Sequence, residues 1–263
     1  MKNNKVGKII TVANQKGGVG KTMTTMNLGC SLAEKGYKVL LIDLDPQHNL
    51  SNYLGYDPNQ LTIADAIQQE INFSTDYLER LIQPYDTNLD YIATTLALSA
   101  LEGAMYQAFS RETLLKNILT QLKVKERYDY VLMDSMPALN LLLINALTAS
   151  DSVLVPVEGS LSALEGLEQL FGYIEMIQKR LNHALMVEGI IFTKVSATKI
   201  SQQIRHRLTT DYPHLLLQTE VKELTEARRS YADRVPLNQM KRSQLAIDYA
   251  ALADELISKK VGV

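Results

Sequence analysis

Apolar residues along this chain come in two rhythms. Short continuous runs at 9–13, 39–42, 130–134, 153–157 and 187–192 are rich in Val, Ile and Leu, the pattern of parallel strands covered on both faces. Between them, apolar positions recur three and four apart over 22–36, 61–71, 110–125, 139–149, about 162–182 and 243–260, which is the spacing of amphipathic helices. Gly36 supplies a stop signal for the first helix, and Ser110 and Thr113 are candidate caps for the third. A further strand is expected at 89–93, with loops at 53–59 and 84–88. Strands that alternate with helices predict an α/β fold, a doubly wound and mostly parallel sheet flanked by helices. No internal repeat, low-complexity stretch or linker divides residues 1–263, so a single domain is expected.

Composition narrows the setting. With 263 residues, 46% of them hydrophobic, the chain can bury a substantial core. Its one cysteine, Cys30, excludes internal disulfides and reads as a buried structural thiol. No apolar run approaches the roughly 20 residues of a membrane span, and residues 1–8 are polar, without the apolar centre of a signal peptide. A cytoplasmic protein is expected. The four histidines, His48, His183, His206 and His214, show no metal-ligand spacing.

The candidate chemistry begins directly after the first strand. Asn14-Gln15-Lys16-Gly17-Gly18-Val19-Gly20-Lys21-Thr22 lies between a strand and a helix, where glycines let backbone N–H groups crowd round phosphate oxygens. Lys21 brings a point charge to the phosphates and the Thr22 hydroxyl can ligate Mg²⁺. The general P-loop pattern has a glycine where Gln15 stands; a second lysine, Lys16, is added instead. The strand at 39–42 ends in Asp43-Leu44-Asp45-Pro46. Carboxylates at that edge of an open α/β sheet lie where ligands bind, and can orient Mg²⁺ and its waters or position an attacking water. The strand at 130–134 ends in Asp134, which can reach Mg²⁺ once it lies beside the P-loop strand.

Lys16-Gly17-Gly18-Val19-Gly20-Lys21-Thr22 resembles the deviant Walker A motif of the ParA/MinD group of ATPases, and the preceding Asn14-Gln15 is similar to the ParA branch. The stretches 145–153 and 163–167 resemble the same group. The resemblance implies a P-loop ATPase that binds ATP through Lys16, Gly17, Gly18, Val19, Gly20, Lys21, Thr22 and Met23, and Mg²⁺ through Thr22, Asp45 and Asp134. It gives Lys16, Lys21 and Asp45 catalytic roles, with Asp45 positioning the water and Lys16 reaching the phosphates of a second subunit in an ATP-bound homodimer. Two departures stand out. Asp134-Ser135-Met136-Pro137 replaces the family's Asp-x-Pro-Pro, and the stretch at about 218–226 lacks the proline of the loop that family members place against adenine.

The formal charge of −2 is unevenly spread: residues 194–242 carry ten basic and five acidic residues, so that segment is at +5 and the remainder at −7. A basic stretch of this kind is either an ordinary solvated face or a stripe for DNA phosphates. The resemblance favours DNA, bound without sequence specificity through Lys199, Arg205, Arg228, Arg229, Lys241 and Arg242. It implies a nucleoid-associated partition ATPase with weak intrinsic turnover, stimulated by a ParB-like centromere-binding protein. With thirteen residues before Asn14, no separate operator-reading domain is expected. The alternative is a MinD-like positioning ATPase on a membrane. The closing helix at 243–260 carries Asp248, Asp254 and Glu255 on its polar face, which favours core packing over membrane contact.

Overall fold

Every parallel strand needs a crossover, and here the amphipathic segments supply them. The structure is a computed structural model that describes residues 6–74 and 78–261. The beginning of the polar stretch at 1–8 and the Gly262-Val263 end of the chain lie outside the described residues. The first third runs β1 (Lys8–Val12), α1 (Lys21–Glu34), β2 (Val39–Leu44), α2 (Asn49–Leu54), α3 (Ile63–Ile71), α4 (Leu78–Leu81), β3 (Gln83–Asp86) and β4 (Leu89–Ile92). The middle runs α5 (Ala97–Ala100), α6 (Glu102–Gln107), α7 (Leu114–Gln121), α8 (Val124–Arg127), β5 (Tyr130–Ser135), α9 (Leu141–Ala149), β6 (Ser152–Glu158) and α10 (Leu161–Arg180). The last third holds β7 (Met186–Val195), α11 (Lys199–Asp211), β8 (Leu216–Lys222), α12 (Glu226–Asp233) and α13 (Gln244–Val261).

The sheet has the order β3-β4-β2-β5-β1-β6-β7-β8. All pairs are parallel except β3 with β4. The continuous apolar runs make sense face by face. Val39 and Leu41 of β2, with Tyr130 and Leu132 of β5, pack under α1 and α13, while Leu40, Ile42, Val131 and Met133 pack on the other side with α3, α7 and α9. Val153, Val155 and Val157 extend that second layer against α10 and α11. Burying both faces removes an apolar strand from water twice over, at about 25 cal/mol per Å².

α1 starts where Gly20 adopts a left-handed φ of 93° at the N-cap, a conformation costly for other residues. It stops at Gly36, φ 86°, as the glycine signal predicts. Gly29 lets it lie close on the sheet, since a Cβ there would sit 2.6 Å from Leu41 Cδ2. Cys30 on this helix is buried, and burial pushes its thiol up to about 12, which makes it inert. The apolar side of α13, through Leu245, Tyr249, Leu252, Ala253 and Leu256, is core. Among the described residues no helix is long and apolar enough to cross a membrane.

Four local expectations need correction. The helix expected over 110–125 is two, α7 and α8, because Ser110 (φ 51°) and Lys123 (φ 51°) are left-handed and interrupt the hydrogen-bond ladder. Thr113 stands at the N-cap without a side-chain cap bond, and Ser110 accepts from Thr113 through its carbonyl instead of capping. The loop expected at 84–88 contains most of β3, and that at 53–59 contains the end of α2. The edge strand β8 is not among the expected strands, although Leu215-Leu216-Leu217 leads into it; α13 covers its outer edge, with Glu255 accepting the Gln218 and Thr219 N–H groups at 2.8 and 2.9 Å.

Candidate active site

Adjacent strands deliver the predicted residues to one edge. In register, Val12 of β1 and Asp43 of β2 both lie beside Asp134 of β5, and the loop after β1 passes over their C-terminal ends. That loop is tied to its neighbours: Asn14 Nδ2 donates to the Pro156 carbonyl at 2.7 Å, Asn14 Oδ1 accepts the Lys16 N–H at 2.9 Å, and Thr193 Oγ1 donates to the Val19 carbonyl at 2.8 Å. Gly18 and Gly20 hold left-handed φ values of 79° and 93°, so the cradle is set before any anion enters. Lys21 Nζ donates to the Lys16 carbonyl at 3.1 Å across the loop. Burial lowers the pKa of Lys21, opposed by the Asp134 and Asp45 carboxylates.

The three carboxylates are not equivalent. Asp43 is fully buried and saturated: Oδ1 accepts the Asp45 N–H at 3.0 Å, and Oδ2 accepts the Ser51 N–H at 2.8 Å and its hydroxyl at 2.7 Å. Burial raises its carboxyl to about 6 despite these donors. Asp43 therefore anchors the turn and the start of α2, and Asp45 is the residue it positions. Asp45 Oδ1 accepts the Gln47 N–H at 2.9 Å, and Asp45 lines the cleft. Asp134 is 1% exposed, and its oxygens are short of donors: none meets them at full hydrogen-bond geometry, and the Thr22 hydroxyl is the nearby side-chain donor. Burial, then the Asp43 charge, raises its pKa well above the carboxylate range; Thr22 and Lys21 act the other way.

A buried carboxylate short of donors is expensive, and its neighbours explain what would relieve it. Thr22 and Asp45 line the cleft and Asp134 lies buried behind them, so the nearby donors are all oxygen, which suits Mg²⁺ held jointly with phosphate oxygens. No group of three or more His, Cys, Asp or Glu able to hold a metal occurs among the described residues. The cleft has a volume of about 630 Å³ and runs from Gly17, Gly18 and Gly20 through Thr22 and Met23 to Leu224, Ala227, Arg228 and Tyr231 of the β8–α12 region.

Lys16 does not line this cleft. Its ammonium is held by Glu158 Oε1 at 2.6 Å, Ser160 Oγ at 2.5 Å and Ser162 Oγ at 2.8 Å. The basic residues of the last third are not one stripe. Lys199 and Arg205 lie on α11, whose Ile204 and Leu208 pack on the layer of α10. Arg228 and Arg229 on α12, with Lys241 and Arg242 ahead of α13, lie on the opposite layer, joined where Glu226 accepts the Leu245 N–H at 2.7 Å. Arg205 pairs with Glu220, and Arg229 with Asp233 at 3.4 Å. Arg228 lines the cleft itself.

Glu158, Lys194 and Tyr231 join the site without having been expected there. Glu158 had a signal, since it ends an apolar strand as Asp134 does. Lys194 was counted only as charge, and Tyr231, whose hydroxyl donates to Asn49 Oδ1 at 3.0 Å, had no signal.

The chain is similar to known proteins in sequence and in fold. A family model described as an AAA domain matches residues 7–187. The chain is 43% identical over 192 residues to the sporulation initiation inhibitor protein Soj of Bacillus subtilis, covering 73% of this chain and 74% of that one. It is 32% identical to the chromosome-partitioning ATPase Soj of Treponema pallidum, covering 97% and 98%. Among solved structures it resembles one described as cobyrinic acid a,c-diamide synthase from Mycobacterium smegmatis with bound ATP analog and magnesium, at a TM-score of 0.83 and 29% identity, covering 97% and 96%.

Proposed function

The chain belongs to the ParA/Soj family of partition ATPases, and from that premise we propose that it is a nucleotide-gated switch: ATP with Mg²⁺ pairs two copies, the pair holds DNA without sequence preference, and hydrolysis releases it. The observation that carries the reading is the buried, donor-poor Asp134 carboxylate beside Lys21 and Thr22, a group that a Mg²⁺ ion brought in with the triphosphate would satisfy.

The chain's own residues take separable parts. Backbone N–H groups of Gly17 to Thr22 and the Lys21 ammonium bind the phosphates. Bound Mg²⁺ would be held by Thr22, with Asp134 and Asp45 reaching it directly or through water, and would neutralise charge on the phosphate oxygens. Asp45, fixed by Asp43 through its own N–H, accepts a hydrogen bond from the attacking water and aligns it with the γ-phosphorus. The new O–P bond forms as the bond to the bridging oxygen breaks, ADP leaves with that electron pair, and the water's proton passes to a phosphate oxygen so that inorganic phosphate is the other product. Lys16 swings out to the phosphates bound by the second copy, supplying a cation that stabilises the leaving charge. Turnover is slow until a basic segment of a ParB-like partner acts on the pair.

Arg229, Lys241 and Arg242 lie beyond the cleft wall that Arg228 lines. Pairing doubles that basic surface, so DNA affinity rises with nucleotide through valency. The burial of the α13 apolar side favours this reading over a membrane-bound one. Retention of a random-sequence duplex, measured at several salt concentrations with ATP, ADP and no nucleotide, tests it: strong retention with a steep salt slope is expected with ATP alone, and equal retention in all three overturns it.

A further inference from the structure

The Lys16 ammonium has three N–H donors, and Glu158, Ser160 and Ser162 of its own chain take all three. The residue that must reach a second molecule is thus fully occupied at home. Glu158 closes β6 beside the P-loop strand and carries a second cation on its other oxygen, Lys194 Nζ, at 3.3 Å. Burial works against its charge, but Lys16 and Lys194 hold its carboxyl below the usual range. Lys194 has a left-handed φ of 50°, unusual for a lysine at a strand end, and its ammonium lies 3.9 Å from where a Gly18 Cβ would be. Lys194 matters for reversibility: when Lys16 leaves, Glu158 keeps a counter-charge and is not left bare.

We propose that Glu158 is a positioning residue that holds Lys16 in reserve, so that this contact sets how much nucleotide is needed before two copies pair. This role for Glu158 rests on the one given above to Lys16 in pairing. Two such contacts must open for each pair formed, one per protomer, so a small local effect counts twice. An exposed or half-exposed ion pair contributes roughly 0.2–1 kcal/mol. Removing Glu158's charge should therefore raise the pairing constant roughly two- to thirtyfold and, with two nucleotides taken up per pair, lower the nucleotide concentration at half-pairing roughly 1.4- to fivefold.

The test is light scattering of the full chain titrated with a non-hydrolysable ATP analogue and Mg²⁺, for wild type, Glu158→Gln, Glu158→Asp, Ser160→Ala and Lys16→Ala. A lower midpoint is expected for Glu158→Gln, a smaller shift the same way for Ser160→Ala, and a return toward wild type for Glu158→Asp. An unchanged or higher midpoint in both Glu158→Gln and Ser160→Ala overturns the proposal while leaving the pairing role of Lys16 intact, provided Lys16→Ala stays monomeric. If Lys16→Ala pairs like wild type, the underlying reading fails instead.

Discussion

Replacing Asp134 by Asn should strengthen the nucleotide-free fold while abolishing hydrolysis. The side chain is 1% exposed, no donor meets its oxygens at full hydrogen-bond geometry, and burial and Asp43 raise its pKa well above the ordinary carboxylate range. A carboxyl whose pKa is raised on folding binds its proton more tightly in the folded state. Stability is therefore highest below the unfolded pKa, about 4, and falls as pH rises towards the folded pKa, by at most about 1.4 kcal/mol per pH unit. Asn has no such proton. The gain from Asp134→Asn should be near zero at about pH 4 and grow towards about pH 7.5, by at most about 1.4 kcal/mol per pH unit, because only the acid must give up a proton in the buried site, with Lys21 and Thr22 offsetting part of the charge penalty. At about 2–4 °C per kcal/mol for a chain of this size, that is visible by calorimetry and by urea titration at about pH 5 and about pH 7.5. A variant less stable than wild type at the higher pH, or a gain of the same size at both pH values, would refute the reasoning. Nucleotide with Mg²⁺ should reverse the order, stabilising wild type more than the variant.

The geometry makes three further outcomes testable. Gly159→Ala should destabilise by about 1–3 kcal/mol, because a Cβ there would lie 2.9 Å from Ser201 Cα, backbone that cannot turn aside; an unchanged urea midpoint would contradict this. Glu255→Ala should cost about 1–2 kcal/mol by baring two edge-strand N–H groups and should raise concentration-dependent association of β8 edges, read by light scattering without nucleotide. Tyr53→Phe removes the hydroxyl that meets Ser230 Oγ and donates to the Val235 carbonyl, the link between α2 and α12. Nucleotide affinity should hold within about twofold while stability falls by about 1 kcal/mol; a large loss of affinity instead would show that the link acts on the cleft itself.

Most of the sheet could be read from the residues because its strands are buried on both faces and therefore continuously apolar. The site could be read for a related reason: in a parallel sheet, the residues just past each apolar run gather at one edge, so Thr22, Asp45 and Asp134 were bound to meet. The edges were harder to see. β3 is a Pro-containing four-residue edge strand, and in β8 the apolar run of Leu216 and Leu217 is cut short by Gln218-Thr219-Glu220, where a Glu255 carboxylate of α13 meets the edge N–H groups. The break between α7 and α8 rests on a left-handed Lys123, which no composition signal marks. The grouping of basic residues depends on which layer each helix joins, and nothing local in 194–242 records that α11 and α12 lie on opposite sides of the sheet. The resting place of Lys16 depends on Glu158, far along the chain, and the same strand-end rule that picked out Asp134 applies to it.

The proposed pairing, in which each copy completes the other's triphosphate site with Lys16, requires wild type and a chain without that lysine to differ in solution mass. The most direct measurement is therefore the mass of wild type and Lys16→Ala with ATP and Mg²⁺ under conditions where hydrolysis is blocked. A dimer is expected for wild type and a monomer for the variant with nucleotide still bound; dimers of equal stability in both would contradict the shared site.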